Sequence, residues 1–167
     1  GRILPNTEDK VELVGIMNDG SKIVGEENIT KSGKKISELK YDKTFIVNKQ
    51  VLKAIKEADL IIFSPGSLYT SILPHLIIDS ISNAINKSKA KKMYVCNLFT
   101  QPGETDDFKV SDHLKIIMKY INNIDVVISN NENIPYRTRQ KYLREEEKDI
   151  VKIDKREIEK LNTKLIG

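Results

Sequence analysis

Apolar and polar positions alternate near the amino terminus of this chain. Over residues 11–29 the alternation runs on both sides of Asn18-Asp19-Gly20. Asp-Gly between two alternating segments is typical of a β-hairpin. The segment ISELKY, residues 36–41, predicts a third short strand. We therefore predict a small antiparallel β unit over residues 11–46, with bulges at Gly15 and Gly25.

The pattern changes to a helical period at Asn48. Apolar residues then recur at helical spacing, namely Val51, Leu52, Ile55 and Ala58. This spacing predicts an amphipathic helix, and Asn48 is a suitable N-cap. The apolar run LIIF, residues 60–63, follows directly and predicts a strand that is buried on both faces of a parallel sheet.

Helices and strands continue to alternate to the end of the chain. We predict helices over residues 69–88, 111–122, 136–147 and 154–162, the second opening on Ser111 and the last on Asp154. Residues 91–99 and 125–129 are predicted strands, and residues 149–153 and 163–167 complete the alternation. This order is typical of a parallel sheet wrapped by helices on both sides. The predicted class is therefore α/β, a three-layer Rossmann-like parallel sheet over residues 48–167 beside the antiparallel unit.

Composition indicates one domain or a part of one. The chain has 167 residues, 39% of them hydrophobic, which suffices for one core but not for two. The net charge is +4, with local clusters only at KSGKK, residues 31–35, and KSKAKK, residues 87–92. These clusters lack interleaved aromatic residues, so we interpret them as solvated surface and do not expect nucleic acid as a partner. Because the chain begins without methionine, we interpret it as a fragment.

The single cysteine, Cys96, lies inside the apolar run MYVCNLF. One cysteine cannot form an internal disulfide, which favours a reducing compartment. Its apolar setting favours a core role over a nucleophilic one, because neither histidine has a recognisable pairing with it. No segment approaches the run of about 18 apolar residues that a membrane span needs. We therefore predict a cytoplasmic protein without a membrane partner.

Three loops are expected at the carboxyl ends of the parallel strands, where ligands collect in such sheets. They are SPGSLYTS after residues 60–63, TQPGETDD after residues 94–99, and NNENIPY after residues 126–129. In the first, Ser64-Pro65-Gly66-Ser67 leads into a helix and presents backbone N–H groups to an anion, most plausibly a phosphate or diphosphate. Ser67, Thr70 and Ser71 could donate hydroxyl groups. The alternative is that this turn only caps the helix.

The second loop brings further polar groups to the same edge. They are Asn97, Thr100, Gln101, Glu104, Thr105 and Asp106. The acids could act in acid–base chemistry or hold magnesium, and they could equally cap a helix or bind a sugar. His113 is interpreted as a structural histidine, and His75 has a weaker claim to a site. Because metal-ligand spacing, a catalytic triad, a Walker loop and G-x-G-x-x-G are all absent, the sequence favours binding, or a reaction whose other half is missing.

Two long motifs carry a family resemblance. SPGSLYTSILPHL, followed by KAKKMYVCNLFTQPGETDDFKVSDHLK, closely resembles the pattern of the YvcK-type gluconeogenesis factors. These belong to a CofD-like superfamily that also contains 2-phospho-L-lactate transferase. Ser64 stands where the family usually has glycine. The family's upstream glycine-rich loop and its downstream Arg-His-Asp segment have no counterpart here, so residues 1–167 resemble the carboxy-terminal part of one CofD-like domain.

The resemblance implies a regulatory factor that binds a nucleotide sugar of the UDP-N-acetylglucosamine type. Such a factor supports bacterial cell shape and cell-wall synthesis during gluconeogenic growth. No catalytic reaction and no cofactor come with this hypothesis. The alternative is a magnesium-dependent phospholactate or nucleotidyl transferase of the CofD type, with Glu104 and Asp106 as metal candidates. Further expected partners are the missing amino-terminal part of the protein and, less specifically, a second copy of the chain.

The resemblance also implies the ligand-binding residues. In the first loop they are Gly66, Ser67, Leu68, Tyr69 and Thr70, and along the second they are Asn97, Thr100, Gln101, Glu104 and Thr105. Tyr142 matches a tyrosine of similar setting in the family and could stack on the uracil or line the sugar. The alternative for Tyr142 is an aromatic side chain that packs on the sheet.

Overall fold

The computed structural model describes residues 1–167, and its amino-terminal part is the predicted antiparallel unit. Strands β1 (Leu13–Met17), β2 (Lys22–Val24) and β3 (Ile36–Tyr41) pair in the order β2-β1-β3. The hairpin turn has Gly20 at φ 80°, and the Gly20 N–H donates to the Met17 carbonyl at 2.9 Å. Glycine adopts this left-handed conformation at low cost, which explains the Asp-Gly sequence.

The glycine predictions in this unit were wrong in detail. The irregular register of β1 lies between Ile16 and Met17, not at Gly15 or Gly25. Gly25 has φ 91° and turns the chain into a short helix, α1 (Glu26–Lys31), that the alternation did not predict. A Cβ at Gly15 would lie 3.2 Å from the Ile29 side chain, so this glycine makes room for α1 against β1.

The second part is a four-stranded parallel sheet. Strands β4 (Leu60–Phe63), β5 (Lys91–Val95), β6 (Val126–Ile128) and β7 (Lys164–Ile166) pair in chain order. Helix α2 (Lys49–Glu57) precedes β4, and the Asn48 side chain accepts the Gln50 N–H at 2.9 Å, which confirms the predicted cap. The α/β class with a parallel sheet and a small antiparallel unit is confirmed.

The two faces of this sheet differ in burial. One face of the sheet contributes to the main core, which is covered by the helices that connect the strands. The residues on this face are Ile61, Phe63, Tyr94, Val127 and Leu165. The opposite face, here called the open face, carries the alternate residues, namely Leu60, Ile62, Lys91, Met93, Val95, Val126, Ile128, Lys164 and Ile166. Leu60 is 44% exposed and Ile62 is 52% exposed, so the prediction that this strand is buried on both faces was wrong. One reason is that β4 is an edge strand. The other is that the strands pair in chain order, so successive right-handed crossovers all place their helices on the same face of the sheet.

The segment predicted as one helix over residues 69–88 is three elements. A π-helical turn (Leu68–Ile72) leads into α3 (Leu73–Leu76), and α4 (Asp79–Lys87) follows after Ile78, whose backbone is extended. Pro74 lies in the first turn of α3, where its missing N–H costs no hydrogen bond.

The remaining helices are α5 (Val110–Ile117), α6 (Tyr136–Glu146) and α7 (Lys155–Lys160). The prediction that α5 opens on Ser111 was wrong by one residue, because the helix begins at Val110 with Lys109 as its N-cap residue. Ser111 is instead fully buried and donates its hydroxyl to the Asp154 carboxylate at 2.6 Å. Asp154 is the N-cap residue of α7 without a capping side-chain bond, since Ser111 holds its carboxylate. Residues 149–153 form only isolated bridges to Phe99 and Lys109. No helix has the length and apolar character that a bilayer crossing requires.

Candidate functional site

A cleft of about 770 Å³ lies at the carboxyl ends of β4, β5 and β6. All three predicted loops contribute to it. Its lining residues are Pro65, Gly66, Ser67, Val95, Cys96, Asn97, Leu98, Phe99, Thr100, Gln101, Ile128, Ser129, Asn130, Asn131, Tyr142, Lys148 and Gly167. Val95 and Ile128 belong to the open face, so the cleft continues onto the uncovered side of the sheet.

The predicted site residues divide into two groups. Gly66, Ser67, Asn97, Thr100, Gln101 and Tyr142 line the cleft. Leu68, Tyr69, Thr70, Glu104 and Thr105 do not line it. Leu68, Thr70 and Thr105 are buried, and Tyr69 and Glu104 border a separate cavity of about 140 Å³. The second group can therefore act on a ligand in the cleft only by supporting the first.

Asn97 joins the first two loops. Its Oδ1 accepts the Gly66 N–H at 3.1 Å, and its Nδ2 donates to the Gly66 carbonyl at 2.8 Å. Two bonds from one amide fix both the position of the turn and the orientation of its peptide groups. The Ser64-Pro65-Gly66-Ser67 turn is thus held against the end of β5.

The hydroxyl groups of the first loop are largely engaged inside the protein. Ser67 Oγ donates to the Glu104 carboxylate and accepts the Thr70 N–H at 2.9 Å. Thr70 Oγ1 lies 3.2 Å from Thr30 Oγ1, which arrives from α1 of the antiparallel unit. The Ser67 N–H has no acceptor in the protein. The prediction that Ser67 and Thr70 donate hydroxyls to a ligand is therefore not favoured. Among the residues of this turn that line the cleft, the Ser67 N–H remains as a free donor.

The second loop folds on itself and on residues after α6. Thr100 N–H donates to the Asp149 carbonyl at 2.7 Å, and Thr100 Oγ1 accepts the Asp149 N–H at 3.1 Å. Thr105 Oγ1 accepts the Gln101 N–H at 2.8 Å. Thr100 and Thr105 thus shape the loop, whereas the half-buried Gln101 side chain borders the cleft.

Tyr142 is held at the cleft by a stacked aromatic pair. Its ring lies 4.4 Å from the Phe99 ring at an interplanar angle of 21°. Arg139, one turn earlier on α6, donates from Nε and Nη2 to the two Asp149 carboxylate oxygens at 2.8 and 2.9 Å. The guanidinium lowers the pKa of Asp149 below its ordinary value. These contacts dock α6 so that Tyr142 borders the cleft instead of packing only on the sheet.

Several lining residues had not been singled out from the sequence. Ser129, Asn130 and Asn131 follow β6, in the loop that the sequence placed at this edge without choosing residues in it. Lys148 is the one charged residue among those that line the cleft. It follows Glu147, whose left-handed backbone at φ 53° ends α6 and turns the chain back, and this turn has no clear sequence signal.

The cysteine and the histidines are not paired with one another as a nucleophile and its base would be. Burial raises the pKa of the Cys96 thiol to about 11, so the thiol stays protonated at neutral pH. His113 is fully buried, with Nδ1 3.1 Å from the Lys109 carbonyl, and burial lowers its pKa. His75 Nδ1 lies 2.7 Å from Asn6 Nδ2, and His75 does not line the cleft.

The two candidate metal ligands are engaged elsewhere. Glu104 accepts hydrogen bonds from Ser67 and Thr30, and Asp106 Oδ2 accepts the Gly103 N–H at 2.8 Å. No cluster of three or more His, Cys, Asp or Glu side chains could hold a metal ion. Both acids border the separate cavity of about 140 Å³ and neither lines the cleft, so a magnesium role for them stays a prediction.

The burial of Glu104 has a measurable consequence for stability. Glu104 is 6% exposed, and burial raises its pKa above 4.5, the ordinary value. The folded state therefore binds the carboxyl proton of Glu104 more tightly than the unfolded state does. As the pH rises from 4.5 towards the higher pKa of the folded state, Glu104 destabilises the fold increasingly. In Glu104→Gln this contribution is absent.

We expect the free energy of unfolding of Glu104→Gln, relative to the unsubstituted chain, to increase as the pH rises above 4.5. The slope cannot exceed about 1.4 kcal/mol per pH unit for one proton. Urea unfolding of both proteins measures this difference. The pH is varied from about 4, near the ordinary pKa of a carboxyl group, to about 7. A difference that does not change with pH would contradict the prediction.

Comparison with known proteins identifies the family to which this chain belongs. The family model described as "2-phospho-L-lactate transferase CofD" matches residues 1–167. A putative gluconeogenesis factor of Thermotoga maritima is 45% identical over 160 residues, which are 95% of this chain and 51% of that protein. The gluconeogenesis factor of Bacillus subtilis is 39% identical over 150 residues, which are 85% of this chain and 46% of that protein.

A solved structure has the same architecture. The crystal structure of a UPF0052 family protein from Bacillus halodurans superposes with a TM-score of 0.91 at 37% sequence identity. The match covers 99% of this chain and 54% of the other. The chain thus spans about half the length of the relatives that it matches. It belongs to the CofD family and, within that family, is similar to the gluconeogenesis factors.

Proposed function

We propose that the cleft binds a nucleotide sugar of the UDP-N-acetylglucosamine type. The observation that carries the proposal is that Tyr142 and the Ser64-Pro65-Gly66-Ser67 turn border one cleft. An aromatic ring stacks on a base, and the free Ser67 N–H just before the π-helical turn suits an anionic group such as a diphosphate. The cleft volume of about 770 Å³ is within the usual range for ligand sites.

The other lining groups suit a sugar. Asn130 and Asn131 carry amide side chains that can pair with sugar hydroxyls, and Gln101 offers another. Lys148, whose Nζ lies 2.6 Å from Glu146 Oε2, lines the cleft and could turn to an anionic ligand by exchanging that partner. Because the nearby thiol is protonated and the histidines lie outside the cleft, these features support binding without turnover.

We also propose that the open face is covered by the other half of the complete protein. The face is apolar except for Lys91 and Lys164 at its amino-terminal edge, the outer edge of β4 is unpaired, and the relatives are about twice as long as this chain. Apolar sheet faces are stable when another layer covers them. Since Val95 and Ile128 line the cleft, that layer would also form one wall of the ligand site.

The biological proposal follows from similarity to the gluconeogenesis factors. The protein acts in the cytoplasm as a regulatory factor whose nucleotide-sugar binding supports cell shape and cell-wall synthesis during gluconeogenic growth. The second candidate is a magnesium-dependent transferase, which the description of the matching family favours.

Calorimetric titration of UDP-N-acetylglucosamine tests the first proposal. The titration uses this chain, the full-length Thermotoga maritima relative, and the matching half of that relative. We expect the full-length protein to bind without forming product and the two half-length chains to bind more weakly. Absence of binding by all three would overturn the nucleotide-sugar proposal. Product formed with magnesium and an activated phosphoryl donor, detected by mass spectrometry, would instead support the transferase.

A further inference from the structure

The antiparallel unit reaches the loops of the cleft through one small side chain. Thr30 Oγ1, on α1, donates to Glu104 Oε1 at 3.2 Å and lies 3.2 Å from Thr70 Oγ1. Beside it, Gly103 approaches the backbone of Gly33 so closely that a Cβ at Gly103 would lie 2.8 Å from the Gly33 Cα. The loop that carries Glu104 is therefore held against this unit at two points.

Glu104 is a buried carboxylate without a cationic partner. It forms no salt bridge, and the hydroxyl groups of Ser67 and Thr30 supply its hydrogen bonds. A buried carboxylate is strongly unfavourable unless hydrogen bonds replace its hydration. The carboxylate position is therefore determined by its two donors, one of which comes from the antiparallel unit.

The effect of Glu104 reaches the cleft through Ser67. The single hydroxyl proton of Ser67 is directed to Glu104, which leaves an Oγ lone pair for the Thr70 N–H. This arrangement caps the π-helical turn and fixes the orientation of the peptide groups just before it. Ser67 and Gly66 line the cleft, whereas Thr30 and Glu104 do not.

We infer that Thr30 and Glu104 are positioning residues for the ligand's diphosphate group, acting through Ser67 on the turn that faces it. This inference rests on the proposed nucleotide-sugar site. It assigns the antiparallel unit a function: through Thr30, that unit keeps the anion-binding turn in the geometry that the ligand requires.

The test compares UDP with uridine, which lacks the phosphates. Binding of both is measured by titration into this chain and its variants, with the unsubstituted full-length Thermotoga maritima relative as a reference. Thr30→Val removes the hydroxyl and keeps the shape, Thr30→Ser keeps the hydroxyl, and Thr44→Val is a matched control at an exposed threonine. Thermal unfolding shows that each variant is folded.

We expect Thr30→Val to weaken UDP binding by about three- to tenfold, the effect of one hydrogen bond, with uridine binding unchanged. Thr30→Ser should restore most of the affinity, and Thr44→Val should have no effect. Equal losses for UDP and uridine, or no loss for either, would overturn the positioning role. If the unsubstituted proteins bind neither UDP nor UDP-N-acetylglucosamine, the proposed function fails first and the inference fails with it. If Thr30→Val does not fold, Glu104→Gln serves as the second variant and must show the same selective loss.

Discussion

Gly103→Ala is expected to lower the free energy of unfolding by about 2–5 kcal/mol, because it combines backbone strain with overpacking. Gly103 has φ 77°, a left-handed conformation that an alanine adopts only at a cost. A Cβ at this position would lie 2.8 Å from the Gly33 Cα and closer still to the Gly33 carbonyl. Backbone atoms cannot rotate away as a side chain can, so the two segments must separate. The separation would also move the neighbouring Glu104.

Gly20→Ala provides a matched control for this substitution. Gly20 has φ 80°, but no atom outside its immediate neighbours lies within 4 Å of an added Cβ. Its alanine variant should therefore lose only about 1 kcal/mol, the conformational part of the cost. Urea unfolding of the three proteins measures both values. Equal losses for the two variants would show that the approach of Gly103 to Gly33 does not constrain the fold.

Tyr142→Ala is expected to weaken UDP-N-acetylglucosamine binding by about five- to 150-fold, since stacking of a base on an aromatic ring contributes about 1–3 kcal/mol. Tyr142 borders the cleft, while Phe99 supports its ring from 4.4 Å. The loss should therefore appear in binding more than in folding. Tyr142→Phe keeps the ring and should retain most of the affinity.

Tyr136→Ala is the control for the loss of a tyrosine from the same helix. Tyr136 is 74% exposed and does not line the cleft. Titration of the ligand into each variant, with thermal unfolding to compare their stabilities, separates the two positions. An equal loss of affinity in Tyr136→Ala, or full affinity in Tyr142→Ala, would contradict the assignment of Tyr142 to the base.

The open face is relevant to how strongly this chain alone can bind. Its exposed apolar residues and the cleft share Val95 and Ile128, so solvent enters the site from the uncovered side of the sheet. Hydrogen bonds and ion pairs with a ligand are weaker where water competes. A covering layer would exclude that water, which is why the proposed affinity is higher for the full-length relatives.

Local physics made several elements predictable. The Asn48 cap depends on a bond to Gln50, two residues away, and the Asp19-Gly20 turn depends on one backbone conformation. The break in the segment of residues 69–88 also had a local signal, since Pro74 is suited to the first turn of a new helix. The error there was to extend the apolar pattern through that residue.

Other features depend on contacts between distant segments. Serine is a common N-cap residue, yet the Ser111 hydroxyl donates to Asp154, which lies 43 residues later in the chain. Ser67 and Thr70 look like ligand donors, yet Glu104 and Thr30 engage them from other loops. A small hydroxyl can satisfy either partner, so its role is decided by which segment lies nearer after folding.

The sequence alone determined the α/β class, the order of most elements and the three loops that meet at one edge, because periodicity, turn residues and parallel-strand geometry are local or general rules. The tertiary structure alone decided which polar groups face the cleft and which support it. It also brought in Thr30, Lys148 and the open face, because burial and hydrogen-bond partners depend on how segments far apart in the chain pack together.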